Sequence, residues 1–168
     1  MSVTEARKKA LSLVKRYGTD NPFELARCLG VEVRYSDSFH KLKGMYTVIA
    51  RNRFIFLGLQ NGEEMNRIVC AHELGHDQLH REAAKVGPMQ ELALWDRSSE
   101  MEYEANVFAA NLLLSDEEML SYIAAGKSCG EIASLTANDP NLVALKVACL
   151  KDAGYQLHDQ IYENRFLK

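Results

Sequence analysis

The segment His72-Glu73-Leu74-Gly75-His76 sets two imidazoles four residues apart with a carboxylate directly after the first. On a helix, residues four apart lie one turn above each other, so both rings can reach one metal ion, while Glu73, about 100° round the axis, faces the remaining coordination position. Zinc held by three protein ligands keeps a place open for water and lowers the pKa of that water to about 7, so a neighbouring carboxylate can take its proton at neutral pH. The spacing reads as hydrolytic metal chemistry with Glu73 as general base. Such a five-residue match arises by chance in roughly one chain in two hundred of this length, and a solvated helix would carry the same letters, so the surroundings must decide.

Two neighbours favour the chemical reading. Gly75 costs about 1 kcal/mol relative to alanine inside a helix, which points to close approach by another element. Downstream, Glu102 opens a helix on which Asn106 follows one turn later, so Glu102 can complete the ligand set while Asn106 hydrogen-bonds a ligand and orients it. The plainer role for Glu102 is the acid of a capping box begun by Ser99. Glu104 is the rival third ligand; the pairing with Asn106 favours Glu102. His80, one turn beyond His76, is read as a packing residue or a support for a ligand, because a straight helix does not easily offer three successive turns to one ion. For the negative oxygen that develops during hydrolysis, Tyr46, Tyr103 and His80 stand as alternative donors.

The elements that must position these groups follow from periodicity. Ser2 to Glu5 has capping-box spacing ahead of a first amphipathic helix that Gly18 stops, and Asn21-Pro22 opens a short second helix ended by Gly30. Val31, Val33 and Tyr35 then alternate with polar residues, and the runs Met45 to Ala50 and Phe54 to Leu57 flank a turn at Arg51-Asn52, predicting a small, mostly antiparallel sheet. A helix over Glu63 to His80 carries the histidines. Residues 81–98 hold no clean period and contain Gly87-Pro88, predicting a loop or broken helix bordering a cleft. Ser115 to Glu118, Ser128 to Glu131 and Asp139-Pro140 begin further helices, the last running to Gly154. The expected fold is α+β, with the sheet packed beside the zinc-bearing helix. Residues 1–114 form the catalytic core and residues 115–168 a helical C-terminal extension packed on it as one compact unit.

Composition excludes several classes. With 47% hydrophobic and 26% charged residues the chain is ordinary globular protein. A net charge of -3 argues against a polyanion as the main partner. The helical pair Gly130–Thr136 and Asn141–Cys149 has helix-turn-helix length, but its second helix offers only Lys146 and Lys151 as cations, so packing or partner docking is preferred over DNA reading. Cys28, Cys70, Cys129 and Cys149 are scattered and read as thiols of a reducing compartment. No apolar signal core opens the chain and no stretch approaches a membrane span, so the expected location is the cytoplasm.

The run Ala71-His72-Glu73-Leu74-Gly75-His76, then Leu79-His80, then Glu102-x-Glu104-Ala105-Asn106-x-Phe108-Ala109-Ala110-x-Leu112-Leu113-Leu114 resembles the ImmA/IrrE family of metallopeptidases, as do Tyr17–Pro22 and the sheet before the histidine helix. The likeness spans about the first two-thirds of the chain and is weaker beyond; Ser115 departs from the proline that many members carry there. That family's pattern is like that of gluzincins. The resemblance implies Zn2+ held by His72, His76 and Glu102, Glu73 as base, Asn106 in support, and a substrate that is a helix-turn-helix repressor of a mobile element or stress regulon. An extended substrate is expected to pair with an exposed sheet edge, for which Phe54 to Leu57 is the candidate. Two other classes compete: a non-catalytic metal-containing regulator that binds a repressor or DNA, and a metal-free helical interaction domain.

Overall fold

A computed structural model describes residues 3–91 and 99–157, in two compact units, Met1–Leu113 and Leu114–Lys168. In the first unit, α1 (Val3–Tyr17) buries Ala6, Ala10 and Leu13 and ends at Gly18, whose φ of 68° suits a residue without a side chain. The Ser2 cap lies outside the described residues. Helix α2 (Pro22–Leu29) starts as its sequence dictates: the Asn21 side chain accepts from the Phe23 and Glu24 amides, a cap worth about 1 kcal/mol, and Gly30 closes it in the left-handed conformation.

Four strands follow among the described residues: β1 (Val31–Ser36), β2 (Gly44–Ile49), β3 (Asn52–Gly58) and β4 (Met89–Glu91), in the order β1-β3-β2-β4. Strands β2–β3 and β2–β4 run antiparallel, and β1 lies parallel to β3 with Val31 opposite Arg53. Three expectations are corrected here. The run Phe54 to Leu57 is not an edge: β3 has β1 on one side and β2 on the other, so β1 and β4 are the outer strands. The hairpin turn is Ala50-Arg51, both at positive φ (49° and 68°), because Ile49 already pairs with Asn52. The segment after the histidine helix is also more ordered than its lack of period implied, holding α4 (Arg81–Ala84) and β4, while residues 92–98 lie outside the described set.

Helix α3 (Glu63–Leu79) packs on α5 (Glu100–Leu113), on β2 and β3, and on α2; α1 covers α5. Its inward side buries Ile68, Val69 and Leu74 against a core that includes Tyr46, Ile55 and Leu57 from the sheet and Phe108 from α5. Gly75 sits where α3 and α5 touch: a Cβ there would fall 3.0 Å from the Ala105 Cα. A buried carboxylate ties the helix to the sheet as well. Asp77 accepts from the Tyr46 hydroxyl at 2.7 Å and from Arg53 Nη1 at 3.0 Å, and Arg53 also donates to the Leu29 carbonyl. Removing the Arg53 guanidinium would take away the main counter-charge of this buried carboxylate, at a cost of about 3–5 kcal/mol.

The second unit comprises α6 (Asp116–Ala124), α7 (Cys129–Thr136) and α8 (Pro140–Asp152). Ser115 accepts from the Glu118 amide, Ser128 and Glu131 form a full capping box, and Asp139 caps α8, which ends at Asp152 with Ala153 as its cap rather than reaching Gly154. Lys146, one of the two α8 cations, is wholly buried with its Nζ 2.6 Å from Asp116 Oδ1, so it is absent from any face a nucleic acid would meet. No helix among the described residues is long and apolar enough to cross a membrane.

Candidate metal centre

The one-turn spacing on α3 brings His72 Nε2 and His76 Nε2 to 3.0 Å of each other, and α5 delivers Glu102 Oε2 to 3.1 Å from the first and 3.4 Å from the second. The ligand atoms of these three residues all lie within 4.8 Å of one another. Glu102 reaches the histidines from the first turn of α5, where Ser99 Oγ accepts its backbone N–H; its carboxylate is therefore free to serve the histidines while its amide serves the cap. Both histidines are buried and Glu102 is partly exposed, so the cluster is approached from one side.

Neighbours on the same two helices set the proton positions. Asn106 Oδ1 lies 2.9 Å from His72 Nδ1; an amide oxygen can only accept, so Nδ1 keeps a proton, and Nε2, once it gives up its own, offers its lone pair to the centre. On the other ring the relay is longer. Glu104 Oε2 lies 2.8 Å from His80 Nε2, which places a proton there and leaves His80 Nδ1 as acceptor; that atom lies 3.0 Å from His76 Nδ1, which must donate. His76 Nε2 is thus a lone pair too, facing the same point. His80 and Asn106 both support ligands in geometry, and Glu104, the rival ligand, is committed to His80.

Charge agrees with this convergence. Burial disfavours a charged ring at both histidines; hydrogen bonds to Glu102 and Glu91 overcome it at His72, pushed up to about 10, whereas His76, beside that cation, is pulled down to about 4. The two rings share one proton because they are too close to hold two. Burial also raises Glu102, yet the hydrogen bond from His72 and the attraction of the histidine pair hold its carboxyl well below the usual range.

Glu73 is fully buried, and neither of its carboxylate oxygens has a hydrogen-bond partner among the described residues. Burial, with the negative charges of Glu91 and Glu102 and against the attraction of His72, pushes it up to about 8. An unpartnered buried carboxylate costs several kcal/mol unless a cation or water completes it. Three converging lone-pair donors beside such a group fit a divalent ion with a water, and an N, N, O set is one that holds catalytic zinc.

Of the three proposed oxyanion donors, Tyr46 is excluded by position: period-2 alternation turns it into the core, where its hydroxyl binds Asp77. His80 is engaged between His76 and Glu104, and Tyr103 lies on α5 next to Glu102 in sequence. Two residues escaped the periodicity reading. Glu91 on β4 brings Oε2 to 2.8 Å from His72 Nε2; its signal was only the Met-Gln-Glu alternation after Gly87-Pro88. Gly44 lets β2 approach α3, since a Cβ there would lie 2.3 Å from Val69 Cγ1 and 2.9 Å from Glu73 Oε1.

Comparison with known proteins agrees with this architecture. Residues 26–140 match the Peptidase_M78 family model, described as the IrrE N-terminal-like domain. The match reaches the start of α8, further than the motif run, and leaves out Tyr17–Pro22. The chain is also 34% identical over 134 residues to an "Uncharacterized immunity region protein 2" of Bacillus phage phi105, covering 80% of this chain and 84% of that protein.

Proposed function

Because the chain belongs to the Peptidase_M78 family of IrrE N-terminal-like domains, we propose that it is a zinc-dependent endopeptidase acting on a helix-turn-helix repressor of a mobile element or stress response. The observation that carries this reading is the convergence of His72, His76 and Glu102, ligand atoms within 4.8 Å, beside the unpartnered buried carboxylate of Glu73. His72 and His76 would hold the ion through Nε2 and Glu102 through a carboxylate oxygen. Bound there, zinc supplies Lewis acidity toward a peptide carbonyl and brings the pKa of water near 7.

The protein's own groups do the rest. Glu73 takes a proton from the attacking water and returns it to the departing amine; its buried carboxylate, which no other side chain engages among the described residues, is left for that exchange. Asn106 and the Glu104–His80 pair keep both imidazoles in the tautomer that presents Nε2. The relative's name sets that protein in a phage immunity region, which fits a target among repressors and an activity in the cytoplasm.

Co-expression with candidate helix-turn-helix repressors, comparing wild type with Glu73→Gln, tests the proposal. Loss of intact repressor with wild type only, both proteins containing zinc, is the expected outcome. A repressor that stays whole with both, yet is relieved from its operator by both, would replace catalysis by a metal-containing regulator that acts through binding.

A further inference from the structure

Strand β1 is the outer strand on the side of the sheet away from β4, and half of its backbone groups face outward. The Ser36 carbonyl accepts from the Leu59 amide at 3.0 Å, on the β3 side. Backbone groups alternate in direction along a strand, so those of Glu32 and Arg34 also turn to β3, and the amides and carbonyls of Val31, Val33 and Tyr35 line the open edge. Among the described residues no strand pairs with them. Such an edge is a template for another chain, which proteins commonly block with charges. Here the two charges, Glu32 and Arg34, are opposite in sign and stand on either side of Val33.

Their order makes the strand complementary to itself. When a second copy of β1 runs antiparallel beside the first with Val33 on the twofold axis, Glu32 falls opposite the partner's Arg34 and Val31 opposite the partner's Tyr35. The register also suits the backbone. Val33 faces Val33 and Val31 faces Tyr35, all of them residues whose amides and carbonyls point outward, so each such pair exchanges two hydrogen bonds. Glu32 and Arg34 then fall in the closer pairs between, where opposite charges are favourable. Within one strand Arg34 Nε and Nη2 both donate to Glu32 Oε1, which leaves Glu32 Oε2 and Arg34 Nη1 for the partner, and both side chains are more than half exposed.

Tyr35 is 54% exposed, and alternation puts it on the same sheet face as Val31 and Val33. Beside those valines lies a groove of about 410 Å³, lined by Phe23 and Arg27 of α2 and by Gly30, Val31, Glu32 and Val33. In the twofold register the partner's Tyr35 stands across from Val31, at that groove, and both copies make the same exchange. We propose that the protein associates through β1 into a twofold dimer whose two sheets join into one, with Val33 at the axis, Glu32–Arg34 pairs across it and each Tyr35 against its partner's groove. The joined sheet keeps β4, beside the metal centre, as its outer strand at both ends, so the inference is independent of the peptidase reading.

The full-length protein and its charge reversals are compared by analytical ultracentrifugation over concentrations up to millimolar. Wild type is expected to dimerise. Glu32→Arg alone and Arg34→Glu alone each set like charges opposite one another at both pairs, so each should associate about 10- to 100-fold more weakly. Mixing the two variants restores opposite charges at every pair and should return a mixed dimer of wild-type strength. A wild type that stays monomeric throughout would overturn the inference, as would a dimer whose strength neither reversal changes, or weakened variants that do not recover on mixing. Should a variant not fold, amide exchange in wild type decides: protection of Val33 and Tyr35 should rise with protein concentration while that of Met89–Glu91 stays constant, and β1 amides that exchange equally at all concentrations would refute the interface.

Discussion

His80 Nδ1 lies 3.0 Å from His76 Nδ1, so the histidine that caps α3 meets the cluster through His76 rather than beside it. Its far nitrogen is anchored by Glu104 at 2.8 Å, and the chain from carboxylate to imidazole to imidazole fixes which nitrogen of His76 is free to bind. Replacing His80 with Ala or Glu104 with Gln should weaken zinc binding about 10- to 100-fold, measured by chelator competition, because supporting hydrogen bonds of this sort carry that much affinity. Unaltered affinity in both variants would reduce the relay to packing.

Zinc uptake should expel a proton. In the metal-free protein His72 is pushed up to about 10 and His76 down to about 4, so near pH 7 the pair carries about one proton that must leave before both nitrogens can bind. Affinity should rise about tenfold per pH unit across the neutral range, and calorimetry in buffers of different ionisation enthalpy should report about one proton released. A pH-independent affinity would contradict the assigned proton positions.

The general base should burden the metal-free fold. For Glu73 the folded pKa, about 8, stands above the ordinary 4.5, so the folded state holds the proton more tightly; the group costs nothing below 4.5 and lowers stability as pH rises from 4.5 to about 8. His72, raised from 6.5 to about 10, stabilises fully below 6.5 and loses that contribution as pH rises to 10. Both act in one direction, whereas His76, lowered from 6.5 to about 4, works against them between those values, so metal-free stability should decline as pH rises above 6.5. Glu73→Gln should unfold later in urea than wild type at pH 8, by about 1–3 kcal/mol, and show no advantage at pH 4.

Two glycines should resist even alanine. At Gly75 the gain of about 1 kcal/mol in helix propensity is opposed by a Cβ 3.0 Å from the Ala105 Cα, a backbone atom that yields only if α5 moves. At Gly44 the new methyl would meet Val69 and the Glu73 carboxylate. Each substitution should cost about 1–3 kcal/mol, a drop in Tm of a few degrees, and Gly44→Ala should lower kcat as well by shifting the base. An alanine at either site that stabilises the protein would mean the helices pack more loosely than described.

Tyr46 should matter to the fold and not to the reaction. Removing the Tyr46 hydroxyl leaves Asp77 with Arg53 but strips a buried hydrogen bond, so Tyr46→Phe should cost about 1–2 kcal/mol of stability and leave kcat near wild type. Thermal melts alongside repressor cleavage check this, and a large loss of kcat with stability intact would contradict it.

What could be read from the chain depended on how local the determining forces are. The facing of His72 and His76 is a property of one helical turn, and Glu102 is favoured over Glu104 because Asn106 follows it one turn later on its own helix. Glu91 was missed because its strand is three residues long and takes its register from β2, far away in sequence, as β1 does from β3. Period-2 alternation announces a strand but not its neighbour, which is why the Phe54 to Leu57 run was expected at an edge and lies inside. Tyr46 was misjudged for the same reason: its chemistry suits an oxyanion, but its register turns it toward Asp77.

The Ala50-Arg51 turn closes the hairpin with two left-handed residues that lack the glycine or asparagine such a bend favours. It stands at the opposite end of β2 from Gly44, about 17 Å away at 3.3 Å per residue. The molecule therefore keeps spare robustness in a spot remote from its chemistry: an Asn-Gly pair written into that bend would harden the scaffold against heat while leaving the reacting groups where they are.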